Sequence, residues 1–404
     1  MNACDPVPPW ALASRTALMR PSAVRDILKL TQHGGVLSLA GGLPAPEGFP
    51  IEALQRASQR LWRHRARSAL QYGPSDGVPA LREWVADRCG RQGWVVSPEQ
   101  VLITSGSQQG LDLVGRVLIE PGEPVLLEQP TYLGALQSFA PWAPQAQPWS
   151  ADAHGPLPTA LQPGQRLAYL VPNYQNPTGR CLGTERRKAL VAAARASGVP
   201  LIEDDPYGGL WYDTPPPPPM ASIDPDAVVH LGSWSKVLAP GLRLGWLICP
   251  PRQVDSLGRL LVRAREGADL HSSSLSQHLV LQLLEDGFDL DAHLEQVRAR
   301  YRAQRDAMDA ALKRHLPAGW HWTRPEGGMF FWVQGPAGCD TAACLPAAID
   351  AGVAFVPGAA FQVPGTDAVE VGRCMRLSFV TLAPIELDEA VRRLASVLRR
   401  AHGG

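Results

Sequence analysis

Between residues 101 and 250 the chain repeats a pattern that few folds can satisfy: a short apolar run, a polar turn, then in several places a helical stretch. The runs are "VLITSG" (101–106), "EPVLLEQP" (123–130), "RLAYLVP" (166–172), "PLIEDDP" (200–206), "VVHLGSW" (228–234) and "LRLGWLICP" (242–250). Runs this short and this apolar read as strands buried on both faces. Helical stretches such as "SQQGLDLVGRVL" and "TERRKALVAAARASG" (184–198) lie between them. Strands alternating with helices predict an α/β fold with a mostly parallel sheet covered on both sides.

After residue 250 the pattern changes. In "HLEQVRARYRAQRDAMDAALKRHL" the residues Leu294, Val297, Tyr301 and Met308 fall on one helical face. The segments "WHWTRPEGGMFFWVQ", "AACLPAAIDAG", "VAFVPG", "CMRLSFV" and "LDEAVRRLASVLRRA" then predict a smaller α+β lobe. A length of 404 residues agrees with two lobes rather than one core. The five prolines at 215–219 fit neither a central strand nor a helix interior, so they predict a stiff connector between two strands.

Charge narrows the function classes. The 38 acidic residues balance 38 basic ones, which gives no electrostatic basis for nucleic-acid or membrane partners. No apolar run reaches the ~18 residues of a membrane span, and the N-terminus does not read as a secretory signal. The seven cysteines are scattered without a Cys-x-x-Cys pair, which argues against zinc, other metal sites and disulfides. A reducing cytoplasm is the expected location.

In open α/β sheets ligands sit beyond the carboxyl ends of the strands. Those ends carry Ser105, Gly106, Ser107, Gln108 and Gln109, a small polar turn opening a helix, where free N–H groups and the helix dipole suit a phosphate. Neither GxGxxG nor a P-loop motif occurs in the chain. Other strands end in "NYQNPTGR" (173–180), in Asp204, Asp205 and Tyr207, and in Ser235 and Lys236, with Arg243 seven residues on. Lys236 is one of four lysines in a chain with 34 arginines. A primary amine can lose its proton and attack a carbonyl, which guanidinium cannot do. A phosphate turn, an amide, a carboxylate, a phenol, a lysine and an arginine on one sheet edge are the set that pyridoxal 5′-phosphate needs.

Ten ordered motifs carry a family resemblance: "SLAGGLPAPEGFP", "LQYGPSDGVPALREWVA", "ITSGSQQGLDL", "QNPTGR", "EDDPYGGL", "GSWSKVLAPGLRLGW", "EGADLHSS", "RPEGGMFFWV", "FVPGAAF" and "MRLSF". Through them the chain resembles the fold-type I, pyridoxal-phosphate-dependent aminotransferases of class I/II. Within that class it is most similar to the 2-aminoadipate and aromatic amino acid aminotransferases. The resemblance implies a large domain with a mostly parallel seven-stranded sheet (46–290), a small C-terminal domain (291–404) and an N-terminal arm with a mobile helix (1–45). It implies that Lys236 bonds the cofactor aldehyde, that Asp204 pairs with the ring N–H, and that Tyr207 and Asn176 reach the ring's phenolic oxygen. Ser107, Gln108, Ser233, Ser235 and Arg243 would hold the phosphate, and Tyr132 would stack on the ring. Arg376 would grip the substrate α-carboxylate, with Asn176 and Gly42 beside it, and Arg25 would meet the distal group. Tyr72 would reach the phosphate of a neighbouring subunit, implying a homodimer with shared sites.

The implied reaction moves an amino group from an L-amino acid to a 2-oxo acid such as 2-oxoglutarate by a ping-pong mechanism. A lyase or cyclase on a specialised amino acid would use the same cofactor and the same Lys236 and Arg376. A regulator with an aminotransferase-like sensor domain is disfavoured, because residues 1–36 show no basic helix-turn-helix pattern. Two features depart from the family pattern: Gly208 and Gly209 stand where several relatives carry bulkier or charged residues, and the proline run is unusual.

Overall fold

The computed structural model describes residues 10–19, 21, 23–30, 35–367 and 369–402. Seven strands form the central sheet: β1 (Val101–Thr104), β2 (Pro124–Glu128), β3 (Gln145–Trp149), β4 (Leu167–Leu170), β5 (Leu201–Asp205), β6 (Val228–Ser233) and β7 (Gly245–Ile248). Their order is β1-β7-β6-β5-β4-β2-β3, and β7 alone runs antiparallel to its neighbours. The six apolar runs read from the sequence are all strands. β3 was not anticipated: its sequence, "QAQPW", sits at the sheet edge and is only partly buried, so it lacks the apolar signature. Pro148 is tolerated there because an edge strand can spare an N–H.

Helices cover both faces. They include α1 (Ala23–Leu30), α2 (Ile51–His64), α3 (Pro79–Arg91), α4 (Ser107–Leu118), α5 (Leu133–Phe139), α6 (Thr184–Ser197), α7 (Arg259–Glu266) and α8 (Ser274–Glu285). One apolar cluster joins one sheet face to the C-terminal part of the chain, and a second lies on the opposite face with Leu81, Val85, Leu190 and Val280. The long helix α9 (Leu290–His315) buries Leu294, Val297, Tyr301 and Met308, the face read from its period. It packs against the C-terminal helix α11 (Pro384–His402), which follows α10 (Thr341–Asp350).

The smaller sheet is antiparallel, in the order β8-β9-β11-β10, where β8 is His321–Trp322, β9 Phe330–Gln334, β10 Val356–Pro357 and β11 Cys374–Ser378. Leu37–Ser38 pairs in parallel with Val353–Ala354, so the N-terminal segment is stitched to the C-terminal part of the chain.

The proline run does connect β5 to β6. The buried guanidinium of Arg187 fixes it, donating to the carbonyls of Pro217 at 3.2 Å and Pro218 at 3.1 Å. The prolines wall a cavity of about 450 Å³ that also meets Trp84, Trp94, Trp211, Trp234 and Trp246. Among the described residues no helix is long and apolar enough to cross a membrane, and no group of His, Cys, Asp or Glu could hold a metal. Cys4 lies outside the described residues.

Gly245 couples the sheet to what lies beyond it. A Cβ there would stand 2.7 Å from the Gly232 carbonyl oxygen and 2.9 Å from the Gly106 backbone. Both obstacles are main chain and cannot rotate away. Replacing Gly245 by alanine is expected to cost about 1–3 kcal/mol of stability, as overpacking does. Chemical denaturation of the purified variant checks this, and wild-type stability would contradict the close approach.

Candidate active site

Five strands deliver residues to one cavity of about 670 Å³ at the carboxyl edge of the sheet. β1 leads into Gly106, whose φ of 88° only glycine adopts without strain, and α4 starts directly after it. The α4 N-terminus therefore points its free N–H groups at the cavity, with Ser107 and Gln108 in its first turn. β2 leads to Tyr132, β4 to Asn176, β5 to Asp204 and Tyr207, and β6 to Ser233, Ser235 and Lys236. Arg243 stands just ahead of β7, at φ 51°, and its Nη2 donates to the Ser105 carbonyl at 2.8 Å. Arg376 comes from β11, and Gly42 and Arg25 come from the N-terminal segment.

Every residue to which the resemblance gives a role lines this cavity except Tyr72, whereas Ser105, Gln109 and Asp205, also read at the strand ends, do not. Tyr72 is 78% exposed and stacks edge-on against His271 at 5.7 Å. The Arg25 charge lies close enough to Tyr132 to act on its hydroxyl.

The lysines divide cleanly. Lys29, Lys188 and Lys313 each pair with an acid three or four residues away on their own helix, at 3.8, 2.9 and 2.6 Å, with their side chains mostly in solvent. Lys236 is deeply enclosed and has no carboxylate partner among the described residues. Its Nζ donates to the Gly42 carbonyl at 2.7 Å. Burial, helped by the charges of Arg376 and then Arg243, pulls its pKa down to about 8. An appreciable fraction of this amine is therefore neutral near physiological pH.

Arg376 is 2% exposed and has no acidic partner among the described residues either. Its Nη1 donates to Asn176 Oδ1 at 2.9 Å and its Nη2 to the Ala40 carbonyl at 2.6 Å, while Nε is buried without a partner. Phe330 lies under the guanidinium at 4.2 Å and Phe361 at 5.1 Å. Neutral acceptors and ring faces hold the fork rigid and leave its charge uncancelled. Burial pulls the Arg376 pKa down to about 10, which still leaves it charged at neutral pH.

Asp204 is the reciprocal case, a carboxylate only 1% exposed. Its Oδ2 accepts the Tyr169 hydroxyl at 2.9 Å and its Oδ1 has no partner. Burial, against the pull of the Tyr169 hydrogen bond, pushes its pKa up to about 7. Asn176 lies between Arg376 and Tyr207, whose hydroxyl burial pushes well above the ordinary range. The Gln108 amide turns towards α5, donating to the Gly134 carbonyl and Ser138 Oγ at 2.7 Å each, and its Oε1 receives the Tyr132 hydroxyl at 3.3 Å. Ser233 Oγ accepts the Ser235 N–H at 3.1 Å, which shapes the turn before Lys236.

Sequence reasoning missed Tyr169 and the two aromatic rings around Arg376. Phe330 lies inside "RPEGGMFFWV" and Phe361 inside "FVPGAAF", both of which carried the resemblance, but an aromatic in an apolar run gives no hint of what it stacks on. Tyr169 is the one polar-tipped side chain in "LAYL", and that tip was the available signal.

An amine with a lowered pKa, a buried unpaired cation and a buried half-satisfied carboxylate around one cavity make up a reaction centre, and the comparisons agree. Residues 36–394 match the family described as aminotransferase class I and II. The chain belongs to that family. It is 41% identical over 390 residues to a 2-aminoadipate transaminase of Thermus thermophilus, covering 94% of each chain. It is 38% identical to an aromatic-amino-acid aminotransferase of Thermococcus litoralis, covering 94% of this chain and 92% of that one. Among solved structures, the Thermus thermophilus alpha-aminoadipate aminotransferase complexed with N-(5′-phosphopyridoxyl)-L-leucine superposes with a TM-score of 0.87 at 39% identity, covering 96% and 97% of the two chains. This aminotransferase therefore has its family's fold along nearly its whole length, including the strand ends that form the site.

The lowered pKa of Lys236 gives a measurable outcome. In cofactor-free protein, acylation of the Lys236 amine should rise with pH through a midpoint near 8 and level off above it, because only the neutral amine attacks. Peptide mass mapping of the reaction at a series of pH values checks this. A midpoint near ~10.4, the ordinary lysine value, would contradict the environment described.

Proposed function

We propose that this aminotransferase uses pyridoxal 5′-phosphate to move the amino group of 2-aminoadipate, an aromatic amino acid or a similar L-amino acid to 2-oxoglutarate, in a ping-pong cycle. The observation that carries this reading is the lowered-pKa amine of Lys236 beside the buried guanidinium of Arg376 on one cavity, neither paired with a carboxylate among the described residues. A buried unpaired charge is costly, so a protein keeps one where a ligand completes it.

The donors present fit the cofactor. The orphaned Oδ1 of Asp204 is an acceptor for a ring N–H, the α4 N-terminus and Arg243 suit a dianion, and Lys236 supplies the amine. Ser107, Gln108, Ser233, Ser235 and Arg243 would hold the phosphate. Tyr132 would lie on the ring face, and Tyr207 with Asn176 would reach the phenolic oxygen. When bound, the group supplies an aldehyde for amine exchange and a ring that takes up electrons released at the substrate α-carbon.

The rest is done by the chain itself. Arg376 takes the substrate α-carboxylate between its parallel N–H groups, with Asn176 and the Gly42 backbone alongside, which fixes the α-carbon. Lys236 Nζ, through its neutral fraction, would take the proton from that carbon as general base. Asp204 keeps a proton on the ring nitrogen, so that the negative charge leaving the α-carbon has a destination. Arg25, on α1 at the mouth of the cavity, suits a distal carboxylate such as that of glutamate or 2-aminoadipate, and an apolar pocket opens for aromatic side chains if α1 swings aside.

Tyr72 fits the site of a second copy, so the reading includes a homodimer with shared active sites. It also includes an N-terminal arm (1–45), a large lobe (46–290) and a small lobe (291–404), and a cytoplasmic location that fits cysteines scattered without a Cys-x-x-Cys pair and a balanced charge.

The test is to incubate the purified holoenzyme and 2-oxoglutarate with 2-aminoadipate, phenylalanine, tyrosine, kynurenine, leucine and arylglycines, measuring glutamate. Glutamate formation is expected, and Arg376→Lys should raise KM for amino and oxo acid together by about ten- to hundred-fold, the loss of a charged fork. Ammonia or pyruvate without glutamate would overturn the reading in favour of a lyase.

A further inference from the structure

Asp204 cannot act as described unless something controls where its proton sits, and the structure contains a residue for that purpose. Tyr169 is the central residue of β4 and is 0% exposed. In the parallel register of β4 and β5, Tyr169 lies opposite Ile202, so Asp204 is the next residue of β5 on the same face. That diagonal spans about 7–8 Å between strands, within reach of an aromatic side chain. The phenol closes it, donating to Asp204 Oδ2 at 2.9 Å. Phe139 of α5 meets the Tyr169 ring edge-on at 6.0 Å and fixes its angle. The hydroxyl touches the carboxylate oxygen turned away from the orphaned Oδ1, so it acts on the reacting group only through Asp204.

We infer that Tyr169 is a positioning residue for transamination: its donated hydrogen bond weakens Asp204 as a base, so that the proton shared between Asp204 Oδ1 and the cofactor ring nitrogen stays on nitrogen. This rests on the reading of Asp204 given above. The direction follows from simple competition. A proton between two bases resides on the stronger one, and a carboxylate already accepting a hydrogen bond in a dry site is the weaker base. Without the phenol, Asp204 carries more localised charge, takes the proton, and leaves a neutral pyridine that accepts electrons poorly. Burial of the Tyr169 ring among apolar neighbours keeps its hydroxyl protonated, so it remains a donor throughout the working pH range.

The experiment is nitrogen-15 NMR of holoenzyme reconstituted with pyridoxal 5′-phosphate labelled at the ring nitrogen, on wild type, Tyr169→Phe, Asp204→Asn and the double variant. In wild type the signal should be that of a protonated nitrogen. In Tyr169→Phe it should move towards neutral pyridine at the same pH, while kcat falls about ten- to hundred-fold, as for one lost hydrogen bond to a buried charge, and KM changes little. The double variant should match Asp204→Asn in signal and rate, because the hydrogen bond that the Tyr169 hydroxyl donates goes to Asp204. A Tyr169→Phe signal as protonated as wild type, or rate losses that multiply in the double variant, would overturn the inference. An unprotonated nitrogen in wild type, or no change in Asp204→Asn, would instead overturn the role of Asp204 itself. If Tyr169→Phe does not fold, 3-fluorotyrosine at 169 keeps the ring and strengthens the donor. Its signal should sit at or beyond the wild-type protonated position, and a shift towards neutral would overturn the inference.

Discussion

A buried guanidinium and an amine of lowered pKa on one cavity, neither with a counter-charge among the described residues, set the terms for the rest of this molecule. Removing an ammonium or a guanidinium from water without a paired acid costs several kcal/mol even after relaxation. Burial lowers the pKa of both Lys236 and Arg376, and the charge of Arg376 lowers that of Lys236 further. The fold meets that cost with neutral groups: backbone carbonyls at Gly42 and Ala40, the Asn176 amide, and the faces of Phe330 and Phe361. None of these cancels the charge. The cavity therefore keeps an attraction for a dianionic cofactor and a substrate carboxylate that a salt-bridged interior would have spent.

The sheet makes this arrangement stable. Parallel strands with helices on both faces bring successive carboxyl ends to one edge, so residues as far apart in sequence as Ser107 and Lys236 meet without long loops. Gly106 and Gly245 then let backbone approach backbone where the helix N-terminus meets the edge strand. Arg376 arrives from the smaller sheet and ties the two parts of the chain together through Asn176, 200 residues away. Binding at the cavity and the relative position of those parts are thus mechanically linked.

Most of this frame was legible in the sequence because parallel-sheet strands carry little besides Val, Ile and Leu, so the chemistry beyond their ends stands out. Lys236 was conspicuous among arginines, and Asp204 as a carboxylate ending an apolar run. β3 was hidden because an edge strand need not be apolar, and "QAQPW" has the composition of a loop. Tyr169 was hidden for the opposite reason. It sits inside a strand that looks purely structural, and its contact with Asp204 depends on inter-strand register, which composition does not encode. The proline run was read correctly as a connector, yet the fully buried Arg187 that holds its carbonyls came from a helix with no motif. Gly208 and Gly209, read as departures from the family pattern, lie on the cavity behind the proline run rather than on the catalytic one.

The central claim is that the enclosed, unpaired amine at position 236 is the covalent attachment point, and that the three surface lysines are not. Borohydride reduction of the holoenzyme, followed by proteolysis and peptide mass mapping, tests it directly. The account predicts one pyridoxyl group per chain, on the peptide carrying Lys236. A label on Lys29, Lys188 or Lys313, or no label at all, would contradict it.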